Sequence, residues 1–96
     1  MTLSAGRTVW IPCEVKPGPF SNERLVRVEG EPESWVGFVP MWYLRDTIER
    51  GRTEVRAVVA EMRGEQFLAR IPGHALASRV VLEAVDKAKL VGALEV

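Results

Sequence analysis

The sequence has little of what catalytic and metal centres are usually built from, with one cysteine, Cys13, and one histidine, His74. A single cysteine excludes an intrachain disulfide, and a single histidine leaves no second imidazole to share a metal ion. Net charge is also missing. Thirteen Lys and Arg offset thirteen Asp and Glu, which removes the field that draws proteins onto nucleic acid or anionic lipid. Neither half carries an excess: residues 1–46 hold five basic and six acidic groups, and residues 47–96 hold eight and seven. No apolar run approaches the roughly 20 residues needed to cross a bilayer, and no lipidation motif is present, so no membrane partner is expected. The chain's start has neither the basic opening nor the apolar run of a secretory signal, and a reducing cytoplasm is the expected compartment. No glycine cluster follows a strand and opens a helix as phosphate loops require, and no Ser, His and acid set stands out. No cofactor, no metal and no enzymatic activity are expected.

What is present is a foldable chain. Hydrophobic residues make up 47% and charged residues 27% of 96 positions, the balance of an ordinary globular domain, and residues 1–96 are read as one soluble domain. From Thr8 to Lys16, Val9, Ile11, Cys13 and Val15 alternate with Trp10, Pro12, Glu14 and Lys16, the period of a half-buried strand. Pro12 has no N–H to give a ladder and is expected at an edge or bulge. Pro17-Gly18-Pro19 ends the run, residues 24–29 make a second strand with Val26 and Val28 on one side, and Trp35 to Val39 make a third, closed by Pro40. Residues 47–52 read as a connector. Thr53 to Met62 and Gln66 to Ile71 then read as two more strands, followed by a Pro72-Gly73 turn and a sixth strand over residues 78–85. A helix is the rival over residues 78–90, because Val81, Ala84, Val85 and Ala88 share a helical face and Ser78 could cap it.

An internal repeat favours the strand. At an offset of 46, Val9 falls on Val55, Gly18 on Gly64, Val39 on Val85 and Leu44 on Leu90; with a short gap, residues 25–28 lie on residues 68–71. Residues 1–46 and 47–92 are thus read as two pseudo-repeats, although any two β-meanders share a period and produce part of this match. A three-stranded unit cannot bury both its faces alone, whereas two packed together share one core. The fold class expected is all-β, a small barrel or sandwich of about six strands.

Residues 37–44, Gly-Phe-Val-Pro-Met-Trp-Tyr-Leu, resemble the C-terminal signature of SH3 domains, in which a glycine and an apolar strand lead into Pro-x-x-Tyr and an apolar residue. The resemblance implies an SH3-like small barrel in which a strand, a single 3₁₀ turn and another strand follow one another here. It also implies that Pro40 and Tyr43, with Trp42 beside them, help line a ligand groove.

Few other residues suggest chemistry. His74, after Pro-Gly, is expected in a surface turn, and Cys13, in phase with apolar neighbours, in the core. Glu29, Glu31 and Glu33 would gather on one side of an extended chain, yet a hard-cation site draws on more oxygen ligands in a shaped loop, so a solvated acidic turn is expected. The aromatic residues carry the functional signal: Trp10 is out of phase with Val9 and Ile11, and Trp42-Tyr43 occupies a tight turn. Either they form a contact surface with Pro40, or they build a second small core beneath the connector. The function expected is a non-catalytic interaction module or structural subunit that binds a protein, a second copy of itself included. The alternative is a single-stranded nucleic-acid barrel using Arg24, Arg27 and Arg45, which the neutral charge disfavours.

Overall fold

Val9, Ile11, Cys13 and Val15 all point inward along β1 (Thr8–Pro17) and are at most 2% exposed, as their period of two requires. The computed structural model describes residues 4–29, 34–63, 66–77, 81–84 and 89–90. Along one side β1 pairs antiparallel with β4 (Gly51–Arg63), from Thr8↔Val58 to Val15↔Gly51. Along the other side its C-terminal end pairs with β2 (Glu23–Val28). β2 in turn pairs with β3 (Trp35–Pro40), and β4 with β5 (Gln66–Arg70). The five strands β3-β2-β1-β4-β5 make a curled antiparallel half-barrel consistent with an SH3-like fold. Their inward residues form one core, in which Val26, Val28, Val39, Val55 and Phe67 are fully buried. Each such side chain contributes roughly 1.5–3 kcal/mol relative to exposure.

Short strands extend both ends. β6 (His74–Ala77) pairs with β3, β7 (Val81–Ala84) with β5, and β8 (Lys89–Leu90) with the start of β1. Because β5 lies against β4 and β6 against β3, the three residues Ile71-Pro72-Gly73 carry the chain across the opening of the half-barrel. Gly73 makes this crossing possible. Its φ is 129°, and a Cβ there would run into the Phe38 carbonyl oxygen.

The expected strand and 3₁₀ turn occur in that order, β3 ending at Pro40 and a 3₁₀ turn η1 spanning Met41–Tyr43, while the strand expected next is a single bridge from Leu44 to Val55 on β4. Pro12 is accommodated without a bulge of its own. It pairs only with Glu54, in the interval of β1 between the β8 and β2 pairings, so its missing N–H costs no ladder bond on that second side. Trp35, in phase with Val39, is a core residue at 4% exposure.

Two sequence expectations change, and the strand expected in the last segment holds where it is described. His74 opens β6, where its backbone faces Phe38, and does not belong to the turn. β4 starts at Gly51, two residues inside the expected connector, whose start is bonded to β4 through Arg45 and Asp46. Within the last segment residues 81–84 are a strand, as the repeat required and the helix reading did not; residues 78–80, 85–88, 31 and 33 lie outside the described residues.

Candidate functional site

On β1 and β4 the residues out of phase with the core form an outer face, where Trp10 and Arg56 are cross-strand partners and Pro12 faces Glu54. Trp10 is half-buried. The Arg45 guanidinium lies over its ring, 5.8 Å from the centroid, and an Arg45–Glu54 ion pair of 2.9 Å holds the arginine there. Arg56 lies 5.4 Å from the centre of the Tyr43 ring, so one cation packs on each aromatic. Contacts of this kind are worth about 0.5–1 kcal/mol at exposed sites.

The connector brings η1 to this face. Arg45 N–H donates to the Glu54 carbonyl, the Asp46 N–H donates to Thr53 Oγ1, and the Thr53 hydroxyl donates to the Asp46 carboxylate. These bonds fix the chain just beyond Tyr43 against β4. Pro40 presets the entry to the turn, with φ −58°, and the Leu44 N–H closes it on the Met41 carbonyl. Pro40 and Tyr43 are half-buried, whereas Trp42 is 60% exposed, its ring 6.4 Å from Tyr43 and tilted by 39°. Trp10, Tyr43 and Trp42 therefore follow one another from β1 to η1, linked through Arg45 and Arg56. Trp42 is open to solvent, whereas Tyr43 and Ile48 pack against the main core.

A further residue on this side, expected in the sequence only as a cation for nucleic acid, has a different place. Arg24 is 7% exposed, and all its described bonds go to backbone carbonyls: Nε donates to Ile48 at 2.8 Å, and Nη1 to Ser21 at 3.0 Å and Glu23 at 2.9 Å. Its signal was its phase, since residue 24 falls in step with the inward Val26 and Val28. Beside it the turn before β2 exposes Phe20, at 66%, and the Met41 N–H donates to the Asn22 carbonyl. The turn carrying Phe20 and the turn carrying Trp42 are thus bonded backbone to backbone.

Elsewhere the chemistry is sparse. Burial pushes the Cys13 thiol up to about 12, against smaller opposing effects from Arg52 and a Thr53 backbone hydrogen bond, so it stays protonated at neutral pH. Among the described residues no group of three His, Cys, Asp or Glu is placed to hold a metal, and no helix is long and apolar enough to cross a membrane. A recess of about 150 Å³ lined by Glu14, Lys16, Leu25, Arg27 and Val36 is smaller than most small-molecule sites. In comparisons with known proteins, no family model, no curated protein and no solved structure matches this chain.

Proposed function

We propose that this protein is a non-catalytic interaction module, a small barrel that binds a protein partner, a second copy of the chain included, through Trp10, Pro40, Trp42 and Tyr43. The observation that carries this reading is Trp42, a tryptophan 60% exposed at the end of a row of aromatics that cations and a hydrogen-bonded connector hold rigid. Aromatics held in this way contribute large contact area at small entropic cost. The buried, protonated Cys13 supports the non-catalytic part. Nucleic acid is the weaker alternative: of its three arginines, Arg24 is buried and Arg45 is ion-paired, which leaves Arg27 exposed.

A photoreactive phenylalanine analogue placed at Trp42 tests the reading in the living host. Discrete protein adducts are expected there and not from the same analogue at Arg27. Sedimentation at increasing concentration reports whether the partner is a second copy. A strictly monomeric protein without adducts at position 42 would refute the proposal.

The framework itself we read as a duplication of a 46-residue unit. What supports this is a pair of bridges between the halves: Leu44 pairs with Val55, and Leu90 with Val9, and each pair becomes the other when 46 is added to one number and subtracted from the other. The meanders β1-β2-β3 and β4-β5-β7 have the same pairing order.

A further inference from the structure

The geometry points to Arg24 as a receiver for a carboxylate, seated beside Phe20 and Trp42, that an apolar, acidic segment of a protein partner would supply. This rests on the reading of the aromatic face as a protein-binding surface. A cation at a core-facing position is costly to bury, and a carboxylate partner is the usual compensation. Arg24 has none among the described residues: its Nε and Nη1 are spent on the Ile48, Ser21 and Glu23 carbonyls. Those bonds lock the guanidinium in place and leave Nη2 over. Among the described residues Nη2 has no hydrogen-bond partner, and no described buried side-chain nitrogen lacks one, so Nη2 reaches the surface. A stapling role for Arg24 explains Nε and Nη1 and leaves Nη2 unexplained.

The surroundings select the ligand. Phe20 and Trp42 are the large hydrophobic residues that the described surface exposes most, and the two turns carrying them are joined by the Met41 to Asn22 hydrogen bond. A partner segment would cover both rings with apolar side chains and place its acid on Nη2. One free nitrogen, with the Glu23 carboxylate on the neighbouring residue, suits a singly charged carboxylate better than a phosphate dianion, which favours several cations or a full guanidinium fork. The alignment of the two halves adds a second indication. Extended by one residue, it sets Arg24 of β2 on Phe67 of β5, both buried, so the first half holds a charge where the second holds the largest fully buried side chain.

Nitrogen-15 spectra of the full chain test this through the Arg24 Nε–H and the Trp42 indole N–H. The added compounds are the blocked peptides Ac-Leu-Asp-Leu-NH2 and Ac-Leu-Asn-Leu-NH2, the dipeptide Ac-Leu-Leu with a free terminal carboxylate, and inorganic phosphate. The aspartyl peptide is expected to move both signals along one binding curve, with the asparaginyl peptide weaker by about tenfold or more. Whichever of the aspartyl peptide and Ac-Leu-Leu binds tighter identifies a side-chain or a terminal carboxylate as the source, and either supports the site. R24M is expected to abolish the preference for acid over amide. W42A, at an exposed position where folding is not at stake, is expected to weaken binding by about fivefold. Phosphate binding as tightly as the aspartyl peptide, or equal shifts with Asp and Asn, would overturn the carboxylate assignment while a moving Trp42 signal keeps the aromatic surface. No shift at either signal with any peptide would overturn both.

Discussion

β2 and β5 occupy corresponding places in the two halves and share a burial rhythm, yet one puts Arg24 and the other Phe67 at its first inward position. After that position the strands agree: Val26 and Ala69 point in, Arg27 and Arg70 point out, and Val28 and Ile71 point in. The difference is therefore local, and it lies on the side of the barrel that also exposes Phe20 and Trp42. A core position can be given over to function when the rest of the strand still supplies the core. In the proposal above β2 does so at Arg24, whereas on β5 Phe67 remains wholly buried.

The largest effect expected from breaking this comparison is at Phe67. Phe67→Ala removes a fully buried ring and should cost about 3–5 kcal/mol in urea unfolding. Gly73 comes next, since it opens the crossing to β6, which has no counterpart strand among the described residues of the first half. Gly73→Ala combines a positive φ with a Cβ against the Phe38 carbonyl oxygen and should cost roughly 2–4 kcal/mol, with earlier hydrogen exchange in β6 than in β2.

Cys13 and Val59, which correspond at the offset of 46, give a pH-dependent contrast. Burial raises the folded thiol from 9.0 to about 12, so the unfolded chain loses this proton first. The protonated thiol's contribution to stability is complete below pH 9 and is lost as the pH rises towards 12. Cys13→Val should remove that alkaline loss, measured as thermal midpoints across the interval. At neutral pH the native thiol should resist iodoacetamide that labels the unfolded chain. The smallest effect is expected at Trp42, where Trp42→Ala should change stability by less than about 0.5 kcal/mol while removing the adducts or the association that define the interaction surface.

Much of the fold could be read from period alone. The alternation in β1 placed Val9, Ile11, Cys13 and Val15 inside and Trp10 outside, and each lies where its phase put it. The 3₁₀ turn at residues 41–43 was implied by the resemblance of residues 37–44 to the SH3 signature. β6 was not, because His-Ala-Leu-Ala has no β-branched residue and its pairing to β3 depends on a crossing that a distant strand completes. Arg24 was expected as a cation for nucleic acid, and its buried place was missed for a different reason. Its phase pointed inward, but the chemical type of arginine argues for the surface, and the three carbonyls that hold it come from the turn before β2, Glu23 and the connector. Trp10 was recognisable as an outer residue, while the cations that fix it and Tyr43 depend on the pairing of β1 with β4 and on the connector.

The most direct measurement is urea unfolding of Arg24→Met, which keeps the length of the side chain and removes the charge and its three hydrogen bonds. If the cation serves a partner more than the fold, the variant stays folded and loses less than about 2 kcal/mol, well short of Phe67→Ala. A loss equal to that of Phe67→Ala would show that Arg24 is a structural staple and that the two halves use this position for the same purpose.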